Sequence, residues 1–357
     1  MSAPGIILQA DARRIPLADE SVQCVVTSPP YWGLRRYGPP DGPVPAGCLG
    51  LERTPEEYVA NLVAVFAEVR RVLWPRGTAW IVLGDSHYQG PKGSSGELRA
   101  SMKQSRNRGS HSTRRGANLG PNRQRQTNGL KPKDLCGIPW TVALALRAAG
   151  WYLRQDIIWH KPNGMCESAP DRPTGTHDYV FLLSKSARYW FDRDAVREPY
   201  AESTGPRNYR ARRQYAPPGQ QPHRGWAMQS RRHAHVSGWV RGPGEHTSLA
   251  NFLANPHLSI KFERQTNTPA HPDGRNIRSV WTIPIQPFAG GHFATYPEEL
   301  ARRCILAGCP PGGIVLDPFA GSGTTGVAAE KAGRRYVLLD LWYQELARVR
   351  TLYDEEP

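Results

Sequence analysis

The chain has 357 residues, 39% of them hydrophobic, and carries 46 Lys and Arg against 31 Asp and Glu, a net charge of +15. That length suits one large domain, or a domain with an inserted lobe. No apolar run approaches the roughly 20 residues of a membrane span, no leader-like basic and apolar stretch follows Met1, and the six cysteines show no Cys-x-x-Cys spacing, which argues against a membrane partner and a metal site and for reduced thiols in a cytoplasmic protein.

In chain order, residues 6–10 read as a strand ending at Asp11, and 22–26 as a buried strand that stops at Thr27-Ser28-Pro29-Pro30-Tyr31-Trp32. Two prolines continue neither a parallel strand nor a helix interior. The segment is therefore an extended, rigid loop at a strand's carboxyl end, the edge where open α/β sheets bind ligands. Gly/Pro-rich residues 33–50 form a loop. Thr54-Pro55-Glu56-Glu57 is a helix start, with Thr as cap and Pro in the first position. Apolar residues at 59, 62, 63, 66, 69, 72 and 73 keep helical spacing beyond it. Residues 79–83 are the next buried strand, ending at Gly84-Asp85.

Residues 86–133 lack apolar periodicity and read as an irregular loop. A helix follows from Ile138 to Ala149, then strands over 152–159 and 179–183. Residues 199–276 are a second irregular region, and Pro297 to Ala307 is a helix. Residues 313–326, Gly-Ile-Val-Leu-Asp-Pro-Phe-Ala-Gly-Ser-Gly-Thr-Thr-Gly, run a short strand into a glycine turn, with a helix over Val327 to Lys331 behind it. The string Gly321-x-Gly323-x-x-Gly326, with Asp340 about 20 residues on at the end of strand 336–339, fits a turn that presents backbone to a nucleotide-like ligand. Only 31 residues follow Gly326. The remaining strands of the sheet must come from the N-terminal part, so the cofactor loop is wound in last. Alternating strands and helices imply an α/β fold, a mainly parallel sheet with helices on both faces.

The charge is uneven. Residues 87–133 hold eleven Lys/Arg and one acid, and residues 203–241 hold eight Arg and no acid. Together they exceed the net charge of the whole chain, which leaves the rest slightly acidic. Basic excess concentrated in two segments points to a polyanion.

Taken together, these motifs resemble the DNA amino-methyltransferases that use S-adenosyl-L-methionine. Ser28-Pro29-Pro30-Tyr31 matches their catalytic motif, and Asp317-Pro318-Phe319-Ala320-Gly321-Ser322-Gly323 their cofactor motif. Catalytic motif first is the order of their circularly permuted beta class. The resemblance covers residues 6–32, 55–85, 135–192 and 277–352. It implies a Rossmann-like methyltransferase fold in three parts. Residues 1–198 are the catalytic half, with a basic insertion at about 86–134; 199–276 are the target-recognition region; 277–357 are the cofactor-binding half.

The resemblance also assigns residues. Ser28, Pro29, Pro30 and Tyr31 are the catalytic set. Asp11 lies near the adenine amino group, Phe319 packs on the adenine, and Asp340 accepts the ribose hydroxyls. His292 and Thr295 belong to the segment at the methionine end, and Asp317, Gly321, Ser322, Gly323 and Thr324 to the turn. Expected DNA contacts are Trp32, Lys161, Arg207, Arg210, Arg212, Arg213, Arg231 and Arg232. His160 is equally a structural hydrogen-bonder, and Trp226 and Trp239 either stack on bases or anchor a small core. The implied activity is methylation of the N4 amino group of cytosine in double-stranded DNA, since Ser heads the motif, with N6 of adenine as the alternative. Two further readings are a nicotinamide- or flavin-dependent oxidoreductase built on the glycine string, and a non-catalytic DNA-binding protein on the same scaffold. A partner restriction nuclease, a monomeric or homodimeric state and a prokaryotic, nucleoid-associated setting complete the expectation.

Overall fold

The computed structural model describes residues 5–34, 48–88, 129–200, 273–286 and 296–344, together with 347, 348 and 351. Among these the elements run β1 (Gly5–Gln9), β2 (Val22–Thr27), α1 (Pro55–Val72), β3 (Leu73–Leu83), α2 (Ile138–Ala148), β4 (Tyr152–His160), β5 (His177–Ser184), β6 (Val280–Thr282), α3 (Glu298–Gly308), β7 (Ile314–Asp317), α4 (Thr324–Lys331) and β8 (Arg335–Asp340). The strands make one sheet, ordered β1-β8-β7-β2-β3-β5-β4-β6. Five of its seven pairings are parallel, and β5 runs against both its neighbours. This is the expected mainly parallel α/β sheet. Its winding is the expected one too: β7, from the end of the chain, pairs with β2, from its beginning.

Side chains alternate across the sheet, and each face has its own core. On one face Val25, Ala79, Ile81, Leu83, Phe181 and Leu183 pack under Leu62 and Phe66 of α1 and Val142 and Leu146 of α2. On the other, Cys24, Val26, Trp80, Val82 and Leu182 pack under Leu300 and Ile305 of α3 and Ala328 and Ala329 of α4. Helices therefore cover both faces.

Three differences from the sequence reading go beyond two residues, two at boundaries and one an added strand. β3 starts at Leu73, directly where α1 ends, and not at residue 79. Pro75 and Gly77 sit in an irregular stretch of β3, where the register jumps between Val22↔Leu73 and Cys24↔Thr78. A Cβ at Gly77 would stand 2.9 Å from the Gln23 carbonyl oxygen, so the close approach needs glycine. β6 has three residues and borrows its order from β4, so no periodicity announces it. α4 begins at Thr324, earlier than residue 327, because Gly323 (φ 80°) turns the chain straight into the helix.

The chain divides into two compact units, residues 1–197 with 276–357, and residues 198–275. In the second unit, Glu198 and Arg275 exchange backbone hydrogen bonds of 2.9 and 2.8 Å, and their side chains pair at 3.1 Å. In the first, the basic insertion is bracketed in a similar way. Tyr88 donates to the Asp134 carbonyl and Lys133 to the Tyr88 carbonyl, both at 2.8 Å. Residues 89–128 and 201–272, which hold most of both basic segments, lie outside the described residues. All six cysteines are free thiols, and no helix among the described residues is long and apolar enough to cross a membrane.

Candidate active site

Because β1, β8, β7, β2 and β3 run parallel, their carboxyl ends share one edge. Asp11, Asp340, the Asp317–Gly323 turn, Ser28–Tyr31 and Gly84-Asp85 all emerge there. β4 ends at that edge with His160, next to Lys161, and the reversed β5 begins there with His177 and Asp178.

The Ser28–Tyr31 loop is held from three sides. The Ser28 hydroxyl donates to the Val82 carbonyl at 3.3 Å, which leaves its oxygen lone pairs as acceptors. The Tyr58 hydroxyl, on α1, donates to the Pro30 carbonyl at 2.8 Å. No described residue donates to the Pro29 carbonyl. The Tyr31 hydroxyl donates to Asp178 Oδ2 at 3.1 Å, and Lys161 Nζ donates to the same oxygen at 2.5 Å. Lys161 Nζ also sits 4.6 Å from the centre of the Trp159 ring. Trp32 is 2% exposed in the core under α1, and its indole N–H donates to the Glu52 carbonyl at 3.1 Å. That makes it a packing residue and not a surface offered to DNA. His160 Nδ1 pairs with Thr282 Oγ1 at 3.2 Å, and the Asn163 amide bonds both backbone groups of Ile285, so this loop is fastened to the strand beside it. Asp85 accepts from the backbone N–H of Gly137 and Ile138 and so caps α2 from 52 residues away. Burial pushes its carboxyl up.

In the turn, Asp317 is 1% exposed and accepts from four donors: Thr27 Oγ1 at 2.6 Å, the Phe319 N–H at 3.0 Å, the Tyr296 hydroxyl at 3.0 Å and the Thr325 hydroxyl. Burial pushes its carboxyl up against those bonds. It ties the end of β2 to the end of β7 and to the first turn of α4. Asp340 accepts from the Gly321 N–H at 2.9 Å and from the N–H groups of Trp342 and Tyr343 at 2.8 and 3.0 Å. Gly321 has φ 53°, a conformation that favours glycine. A Cβ at Gly323 would stand 3.1 Å from Ala347, and one at Gly326 2.8 Å from Leu338 Cδ1. Those two glycines serve packing behind the turn. Ser322 and Thr324 are buried, and Phe319 is half-buried against the α1 core. Asp11 pairs with Arg13 at 2.6 Å, and that guanidinium holds its carboxyl below the usual range. His292, Thr295 and the six arginines expected to contact DNA, between 207 and 232, lie outside the described residues.

The sequence reading gave no role to Tyr58, Asp85 and Asp178, and it placed Tyr296 only within the segment 292–297, without its bond to Asp317. Each acts through a partner distant in the chain, which no local pattern shows.

A model of the DNA methylase family matches residues 22–347. The chain is 37% identical to the type II methyltransferase M.Cfr9I of Citrobacter freundii over 92% of this chain and 79% of that one. It is 36% identical to the type II methyltransferase M.SmaI of Serratia marcescens over 97% and 90%. Among solved structures, the cytosine-N4-specific PvuII DNA methyltransferase is similar with TM-score 0.51 at 17% identity, covering 99% of this chain and 89% of that one. At that identity the likeness is one of fold. The family match spans most of the chain and both relatives are covered over most of their length, so this chain belongs to the DNA methylase family, as an amino-methyltransferase of the restriction-modification type on the α/β fold of S-adenosylmethionine-dependent methyltransferases.

Proposed function

We propose that the enzyme methylates the N4 amino group of cytosine in double-stranded DNA, with the base extruded from the helix. The observation that carries this is the junction of the two motifs: Ser28–Tyr31 leaves β2 beside the Asp317 turn, and the Thr27–Asp317 hydrogen bond of 2.6 Å links them. Ser at the head of the motif supports cytosine, and the PvuII enzyme of like fold is cytosine-N4-specific.

The turn fits S-adenosyl-L-methionine. Asp340 has three backbone donors on a carboxylate with about four lone-pair sites, so one site remains for a ribose hydroxyl. Gly321 brings bare backbone to the same place. When bound, the cofactor supplies an electrophilic methyl group on a sulfonium. Every other requirement falls on the chain's own residues. The amino nitrogen of a base is a poor nucleophile because its lone pair is delocalised into the ring. Acceptors on its two hydrogens favour the tetrahedral geometry that restores the lone pair. The Ser28 oxygen and the Pro29 carbonyl are those acceptors, stiffened by the Pro-Pro backbone and by Tyr58 on Pro30. Tyr31 offers its ring as a stacking face. Positioning supplies most of the rate, so no strong base is needed.

Methylation-sensitive sequencing of DNA from cells expressing the protein tests this. N4-methylcytosine at one short motif is expected, and N6-methyladenine there would overturn the base assignment. Calorimetry should show S-adenosyl-L-methionine binding and no NAD binding. Ser28→Ala should reduce methyl transfer by about 10²–10³ with cofactor affinity unchanged; a wild-type rate would remove Ser28 from the mechanism.

A further inference from the structure

Asp178 lies outside every motif that the sequence offers, yet it stands where the catalytic loop meets the second half of the sheet. Its side chain is 12% exposed and that of Lys161 19%. One oxygen, Oδ2, receives both the Tyr31 hydroxyl and the Lys161 ammonium. Gly84 closes the other side: a Cβ there would stand 2.5 Å from Tyr31 Cε2 and 2.9 Å from Asp178 Oδ1. The Tyr31 ring therefore lies against bare backbone with its hydroxyl pinned. A lysine at the mouth of a DNA-modifying site is ordinarily a phosphate contact. This one is committed to a half-buried carboxylate and to the face of Trp159. Removing one partner of such a pair leaves the other charge uncompensated.

We infer that Asp178 is a positioning residue of the methyl-transfer site: it fixes the Tyr31 ring as the stacking face for the extruded base and withholds the Lys161 charge from the DNA backbone. This rests on the proposed function of the Ser28–Tyr31 loop. It makes the pocket nearly neutral where an uncharged base must enter and leaves phosphate attraction to other parts of the chain.

The test is a mutant cycle on the full chain, with single-turnover methylation at saturating cofactor, calorimetry of S-adenosyl-L-methionine, and DNA affinity over a salt series. Asp178→Asn keeps an acceptor for Tyr31 but releases Lys161. It should steepen the log–log salt slope by up to about 0.9, the equivalent of one phosphate neutralised. Adding Lys161→Met should return the slope to the wild-type value. Asp178→Ala and Tyr31→Phe should each slow methyl transfer by about ten-fold, the scale of one hydrogen bond to a charged group. The double variant should be no slower than the worse single one, because both remove the same interaction. Cofactor affinity should stay at the wild-type value throughout, which also reports that each variant is folded. Additive losses, or an unchanged salt slope in Asp178→Asn, overturn the role of Asp178 while wild-type methylation upholds the reading of the site. A wild-type chain that binds the cofactor and methylates no DNA overturns both.

Discussion

Asp340 accepts hydrogen bonds from three backbone amides in two segments, Gly321 before it and Trp342 and Tyr343 after it. It thus shapes the turn, and in the proposed site its remaining lone pair is the one for the ribose. Asp340→Ala should weaken S-adenosyl-L-methionine binding in calorimetry by about 10–100-fold, since a hydrogen bond to a charged group contributes roughly 1.5–3 kcal/mol; unchanged affinity would place the ribose contact elsewhere. At this scale the sequence revealed residues whose motif is contiguous, such as Ser28–Tyr31 and Asp317–Gly323. It did not reveal those whose meaning lies in a distant partner. Tyr296 and Thr27 meet at Asp317, 21 and 290 residues away. Trp32 reads both ways from its neighbours alone, because an aromatic beside a catalytic loop can face DNA or the core with the same local pattern. Burial under α1 decides for the core, against the expected DNA contact.

Among elements, the start of α1 was legible to the residue, while Leu73, which keeps the helical spacing, already belongs to β3. Its periodic apolar face is buried, and Thr54 Oγ1 accepts from the Glu57 N–H at 3.1 Å, as the capping signature implies. Glu57 in turn accepts from the Arg53 N–H at 3.0 Å. Thr54→Ala should lower stability by about 0.5–2 kcal/mol in urea denaturation, with methylation kinetics unaffected once the protein is folded. A variant as stable as wild type would mean that the end of α1 is held by packing alone. α2 is the contrast: its start carries Gly137 with φ 70° and no side-chain cap of its own, and Asp85 from the end of β3 performs that service. Such capping cannot be read locally. The same holds for β6, which is too short to show a period, and for β3, whose first half hides behind Pro75 and Gly77. Tertiary pairing overrides the propensity of those residues.

For the whole molecule, charge is the property that remained readable throughout, because it needs no coordinates. The segments 87–133 and 203–241 together carry a larger net positive charge than the entire chain. The first has the composition of a polycation; the second mixes Arg with Trp, Tyr, His and Asn, residue types that read base edges and stack. Neutralising Arg99, Arg106, Arg108, Arg114 and Arg115 together should weaken binding to all DNA alike and flatten the salt slope by about 0.9 for each phosphate left without its cation. Replacing single arginines among 207–241 should change which sites are methylated, as each bidentate pairing with a base edge discriminates by about 1–3 kcal/mol. DNA affinity over a salt series, paired with methylation sequencing of each variant, separates the two; a motif altered by the first set and untouched by the second would reverse the assignment.

The pairing of Glu198 with Arg275 has a consequence for inheritance. A segment whose two ends are clasped to each other by backbone bonds and an ion pair leaves its host at one point and rejoins it there. Closure is then nearly indifferent to how long the segment is, because the entropy of a longer loop grows only with the logarithm of its length. Such a segment should be exchangeable as a cassette: everything between those two residues can be traded while the sheet edge passes down unaltered.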